Sequence, residues 1–295
     1  MDLQTRKIIV VFCHSRAEML NKCLTSLKKA TDIDSWSVNV VHQHGFDSVE
    51  RVIQKHRELI DNLIVTKSNF NFPLGNINYN RILGTNFAFE VLEADYLLGI
   101  EEDSKLSTDS LVFIDFVYNR YKKKKAFRGI NLGSIEHGNN VTENSYSLLR
   151  SGLQGSAGVI IRKTWRGIQR KKLFEFDLTD KKIAWDGKIE FYLKSGFMVT
   201  PNLSRYLDLG HGGTFAPVSK NDPYFLENKK SWYSKKVSVI TSYRHLQINH
   251  RIRFDTVRYR FIHSFVYLLR QNEIIYRWSC SIGVTKLLKK LLIPS

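Results

Sequence analysis

YLLGIEEDSKLSTD, residues 96–109, is the stretch on which the fold turns. Tyr96 to Ile100 form an unbroken apolar run, the length and pattern of a strand buried on both faces. That strand runs straight into Glu101, Glu102 and Asp103, and Ser107 then reads as a helix N-cap with Asp109 in the first turn. Carboxylates at the carboxyl end of a central strand lie where open α/β sheets bind ligands. Crowded acids repel one another unless a cation stands among them. A hard divalent ion takes such oxygens and keeps positions for water or phosphate. The same triplet also reads as three solvated acids favoured by a helix dipole. The residues alone leave both readings open.

Upstream, KIIVVFC (residues 7–13) is a second short apolar run, and Met19, Leu20, Cys23, Leu24 and Leu27 follow at helical spacing. SVNVVH (37–42) reads as a strand, 49–60 as a helix and 63–66 as a third, short strand. The Asn-rich stretch 70–78, with Pro73 and Gly75, reads as a loop, and helical spacing resumes over 79–92. This succession predicts an α/β fold, a mainly parallel sheet flanked by helices on both faces. Downstream of Phe127 the pattern loosens. GLQGSAG (152–158) predicts a glycine-rich turn ahead of a strand at 159–162; a short helix is expected at 188–194, a strand at 197–200 and a flexible loop at 210–213.

The chain of 295 residues carries a formal net charge of +17. Residues 220–295 hold 15 Lys and Arg against 4 Asp and Glu, so a boundary is expected near Lys220, between a domain at 1–219 and a basic, aromatic, mostly helical extension at 220–295. A field of that sign attracts polyanions of any kind. Within the extension, 257–277 reads as helical. In VTKLLKKLLI (284–293), leucines oppose lysines, which suits a helix lying at a membrane interface or one packed on the domain with its basic face in water. No stretch reaches the roughly 18 apolar residues of a membrane span. Cys13, Cys23 and Cys280 are too few and scattered for a disulfide framework or a zinc site. With no signal-peptide pattern at the N-terminus, the expected setting is cytoplasmic, or peripheral on the cytoplasmic membrane face.

Four stretches together resemble GT-A (Rossmann-like) glycosyltransferases, in particular the N-acetylglucosaminyltransferase I group. They are VVFCHSRAEMLNKCLTSL (10–27), VVHQHG (40–45), YLLGIEEDSKLSTD (96–109) and WDGKIEFYLKSGFMVTPNLSRYLDLGHGG (185–213). They cover most of residues 7–215 in the same order. The resemblance implies a nucleotide-sugar donor, most naturally a UDP-sugar, an inverting transfer to a glycan or lipid-linked glycan, and Mn2+ or Mg2+ as cofactor. It puts Arg16 at a nucleotide-contacting position, Asp103 at the direct metal ligand and Glu102, beside Glu101, at the acid that contacts the nucleotide-sugar. It puts Asp186 at the general base, and His211 to Thr214 in a loop that closes over the diphosphate. Two residues depart from the pattern. His44 stands where the family has a uracil-contacting aspartate, and Glu102 is one methylene longer than the family's aspartate.

Each residue has a plainer reading too. Asp186 can cap the helix at 188–194, and Glu190, one turn on, is a reserve base or a surface acid. Arg16 at a helix start is unfavourable for the dipole, which suits a ligand role, although a surface arginine fits as well. His211 between glycines can approach a diphosphate or simply face water. An anionic membrane surface stays open as a further partner. A nucleotidyltransferase would carry a glycine-rich loop after its first strand, and FCHSRAEML has none. A nucleic-acid-binding protein would account for the charge but leave the acidic strand end and Trp185-Asp186 unexplained, so no nucleic-acid partner is expected.

Overall fold

The structure is a computed structural model that describes residues 5–67, 73–134, 144–154, 156–170, 185–210 and 244–245. The described elements in chain order are β1 (Lys7–Cys13), α1 (Ala17–Lys28), β2 (Ser37–Gln43), α2 (Asp47–Lys55), β3 (Asn62–Thr66), α3 (Pro73–Asn86), β4 (Tyr96–Glu101), β5 (Ser104–Leu106), α4 (Ser110–Tyr121), β6 (Phe127–Asn131), β7 (Ser145–Leu149), β8 (Ala157–Ile161), α5 (Arg162–Arg170), α6 (Trp185–Lys194), β9 (Phe197–Pro201), β10 (Tyr206–Asp208) and β11 (Arg244–His245). Nine strands form one sheet in the order β11-β7-β9-β6-β8-β4-β1-β2-β3. β3, β2, β1 and β4 run parallel, as do β6 and β9, and β7 and β11, while β8 runs against β4 and β6, and β7 against β9. The fold is α/β, with a large, mostly parallel sheet flanked by helices.

Alternation along β1 shows why both faces are covered. Ile9, Val11 and Cys13 join one buried cluster with Leu20, Cys23, Leu24 and Leu27 of α1, Val49 and Ile53 of α2, and Phe113, Ile114 and Val117 of α4. Ile8, Val10 and Phe12 point the other way, into a cluster with Phe89, Trp165 and Ile168, and Trp185, Ile189 and Leu193 of α6. Side chains alternate along a strand, so a run apolar at every position needs cover on both faces. Each fully buried leucine or phenylalanine contributes about 1.5–3 kcal/mol.

Three expectations needed correction. The segment read as a loop at 70–78 contains the first turn of α3, which begins at Pro73, where a proline's missing N–H costs nothing. The helix after the acids starts at Ser110, not Ser107, and Asp109 takes the cap position. Ser107 instead donates to Asp109 Oδ1 at 2.8 Å. The helix read from 188 begins at Trp185, so Asp186 lies in its first turn rather than before it. All the described residues belong to one compact unit, Met1–Leu246. The expected boundary near Lys220 and the expected helices at 257–277 and 284–293 lie outside the described residues.

Candidate functional site

Strand order sets the place. From β1 the chain crosses to β2 and β3 on one side and returns to β4 on the other, so the order reverses between β1 and β4. In open sheets the crevice beyond the carboxyl ends of two such strands is where ligands bind. β1 ends at Cys13, β4 at Glu101, and Phe12 pairs with Glu101.

The three acids there have different partners. Glu102 is 3% exposed and serves the turn between β1 and α1. Its Oε2 accepts the backbone N–H of His14 at 2.8 Å and of Arg16 at 3.4 Å, and its Oε1 accepts Arg16 Nε at 2.7 Å. The start of α1 has no side-chain cap of its own, so this acid from β4's end supplies the acceptor. Glu101 pairs with Arg81 Nη2 at 2.6 Å. Asp103 meets Arg16 Nη1 through Oδ2 at 2.8 Å, while its Oδ1 is buried without a hydrogen-bond partner. Repulsion within the triplet is therefore offset by two arginines. Burial, then the charge of Glu101, pushes the Asp103 carboxyl up to about 7, against the pull of Arg16.

A short ribbon brings in a fourth acid. β5 pairs with β10 antiparallel, placing Asp208 opposite Ser104, and Leu209 N–H donates to the Asp103 carbonyl at 2.9 Å. Asp208 Oδ1 accepts Gly210 N–H at 2.7 Å. A Cβ on residue 210 would stand 2.3 Å from Asp103 Oδ2 and 3.0 Å from Asp208 Oδ1, so only glycine lets the chain pass between the two acids. Asp208 also raises the Asp103 carboxyl. Among the described residues no three acids, histidines or cysteines form a complete metal cage. Two carboxylates with one bare buried oxygen do suit Mg2+ or Mn2+, which are held by one or two carboxylates and fill their other positions with water and substrate phosphate. Asp103 and Asp208 are the residues that would hold such an ion.

The other residues near the strand ends, and the remaining expected ones, lie as follows. Asp186 sits in the first turn of α6, its carboxyl raised first by burial, with the charges of Arg81 and Glu101 acting on it in opposite directions. Glu190, on the same helix, ion-pairs with Lys194. His44 lies beyond β2 at the same edge of the sheet, its N–H bound to the Thr66 carbonyl at 2.9 Å and its ring exposed, 3.6 Å from Glu50. Glu50 also lies 3.5 Å from the buried His42, whose ring burial keeps below the usual histidine range. Cys13 is core, its thiol buried and raised by that burial, and His14 is exposed with its ring 4.8 Å from Phe46. His211 and Thr214 lie outside the described residues. The structure thus brings Arg16, Glu101, Glu102 and Asp103 together, and adds Arg81 and Asp208. The only sequence signal for Asp208 is an acid two residues ahead of the glycine-rich stretch at 210–213; Arg81 follows a stretch whose asparagines suggest a loop.

No known protein family profile matches the chain, and no curated protein matches it. Solved structures show remote likeness. S. aureus TarS 1–349 in complex with UDP-GlcNAc aligns at TM-score 0.48 and 14% identity, over 75% of this chain and 64% of that one. Longer S. aureus TarS aligns at 0.49 and 11%, over 91% and 50%. The mannosyltransferase PcManGT from Pyrobaculum calidifontis, in complex with GDP-Man and Mn2+, aligns at 0.45 and 11%, over 67% and 55%. This chain spans less than two thirds of each of those chains. Likenesses so remote say nothing about its substrate.

Proposed function

We propose that this chain is a nucleotide-sugar-dependent glycosyltransferase whose donor site is the crevice between β1 and β4. One observation carries the reading. At the reversal of strand order, Asp103 presents a bare buried oxygen beside a second carboxylate, Asp208, with Arg16 at the mouth. Asp103 and Asp208 would hold a divalent ion there, which would offset the charge of a donor's diphosphate. When bound, the ion supplies positive charge to the departing nucleoside diphosphate.

The chain's own residues do the rest. Glu102 fixes the β1–α1 turn through two backbone amides, which sets where the Arg16 guanidinium stands. Arg16, half-exposed, offers its remaining N–H groups to phosphate or nucleotide. Asp186 accepts the proton of the acceptor hydroxyl as that oxygen bonds to the anomeric carbon and the diphosphate leaves with the bonding pair. Resemblance to the N-acetylglucosaminyltransferase I group supports a UDP-sugar donor and an inverting outcome. A glycan or lipid-linked glycan is the acceptor this resemblance favours.

A panel of UDP- and GDP-sugars, each with and without Mn2+, tests the site by thermal shift and by product release. At least one donor is expected to raise Tm only when Mn2+ is present, and Asp103→Ala is expected to abolish both the shift and the turnover while the fold survives. Donor binding and turnover that are unchanged in EDTA overturn the metal-bridged reading.

A further inference from the structure

Behind the acidic strand end, α3 sends two buried polar side chains to the start of α6. Asn78 Oδ1 accepts the backbone N–H of Trp185 at 2.9 Å, one of the donors a helix leaves unpaired in its first turn. One turn later on the same face, Arg81 is only 2% exposed. Its guanidinium lies 4.1 Å from the Phe12 ring centre and 4.9 Å from that of Trp185, and its Nη2 holds Glu101 at 2.6 Å. Arg81 therefore touches the end of β1, the end of β4 and the residue immediately before Asp186. Burying the Arg81 charge is a poor source of stability, because taking it out of water costs about as much as its attraction to the half-buried Glu101 returns. Something other than stability is needed to explain an arginine at this spot.

We infer that Arg81 is a positioning residue for Asp186, fixing the first turn of α6, and with it the carboxylate, against the acid end of β4. This rests on reading Asp186 as the proton acceptor. Two consequences follow from the geometry. Asn78 and the Arg81–Trp185 stack fix where the turn lies, so the carboxylate meets the acceptor hydroxyl at one distance. The Arg81 charge opposes burial and Glu101, both of which favour the protonated acid, so it keeps Asp186 ionised for proton transfer. The charged groups acting on Asp186 are Arg81 from α3 and Glu101 from β4. Removing Arg81 leaves only the backbone N–H groups of Gly187 and Asp186 to oppose burial and Glu101.

The test uses the whole chain with Arg81→Met, Arg81→Lys and Asp186→Asn. Carbon-13 carboxyl titration, with Asp186 assigned by its own variant, needs no substrate. Arg81→Met is expected to raise the Asp186 midpoint by at least about one pH unit, as loss of a nearby opposite charge does. With UDP-GlcNAc as the donor probe, kcat of Arg81→Met is expected to fall about 10²-fold with KM within about threefold. The acid limb of its pH–rate profile should move upward. The double variant Arg81→Met/Asp186→Asn should be no slower than Asp186→Asn alone, because residues that act as a unit are not additive. If Arg81→Met does not fold, Arg81→Lys decides: an ammonium cannot stack on Trp185 and reach Glu101 with the same fork, so kcat should still fall at least about tenfold. An unmoved Asp186 midpoint in the folded variants, multiplicative losses in the double variant, or wild-type behaviour of Arg81→Lys on both readouts overturns the inference. Full activity of Asp186→Asn alongside a shifted midpoint in Arg81→Met sinks the base assignment alone and leaves the positioning geometry standing.

Discussion

Three neighbouring acids that look equivalent in one dimension have three different jobs in the fold. Glu102 is used by two backbone amides and Arg16, Glu101 pairs with Arg81 at the edge of solvent, and Asp103 keeps a buried oxygen without a partner. Its carboxyl, raised from 3.8 to about 7, makes a testable statement about stability. A group whose pKa is raised on folding holds its proton more tightly in the native state than in the unfolded chain. The native protein is therefore favoured at low pH, and stability declines as pH climbs from about 4 through about 7. Each pH unit between the unfolded and folded pKa corresponds to about 1.4 kcal/mol, so the cost at pH 8 is a few kcal/mol at most. In EDTA, the Tm of Asp103→Asn relative to wild type is expected to rise between pH 5 and pH 8. A difference that stays flat over that range means the carboxyl is ionised throughout.

At the scale of elements, the ribbon of β5 and β10 and the helix α3 do what no single strand could. The ribbon carries Asp208 to Asp103 across about a hundred residues of chain, and α3 carries Arg81 to Glu101 and Trp185. The far half of the sheet, where the sequence pattern loosens, depends on close backbone packing. A Cβ on Gly129 of β6 would stand 2.2 Å from the Val159 carbonyl oxygen of β8. That neighbour is backbone and cannot swing aside. Gly129→Ala is expected to destabilise the protein by about 3 kcal/mol, at the upper end for overpacking. Urea unfolding measures it, and a midpoint unchanged from wild type would show that the two strands can separate without cost.

Across the whole molecule the charge is the dominant property, and its densest region, residues 220–295, lies almost wholly outside the described residues. Among the described residues no helix is long and apolar enough to cross a membrane. We propose that the lysine-leucine segment 284–293 brings the chain to an anionic surface. Each Lys or Arg near such a surface contributes about 1 kcal/mol. Deleting 284–295 is expected to weaken co-sedimentation with phosphatidylserine vesicles, in a salt-dependent way, and to leave turnover of a soluble donor nearly unchanged. Absent vesicle binding by the full chain, or unfolding on truncation, would assign the segment to packing instead.

The sequence by itself determined the first half of the fold. Runs at 7–13, 37–42 and 96–100 read as strands because burial on both faces keeps them largely apolar, with Asn39 and His42 the buried polar exceptions in the second. α1 was legible because Leu20, Cys23, Leu24 and Leu27 repeat at the period of a helix with one buried face. The acidic strand end stands out locally as three carboxylates straight after an apolar run, whereas Arg16 entered through the family resemblance and its place at a helix start. Tertiary structure alone decided which acid stays free, that Arg16 bonds two of them, and that Arg81, Asn78 and Asp208 join the site. Those facts depend on partners distant in sequence, on which strand lies beside which, and on a glycine that lets two carboxylates approach. Periodicity reports only whether a residue faces the core; it carries no information about what that residue meets there.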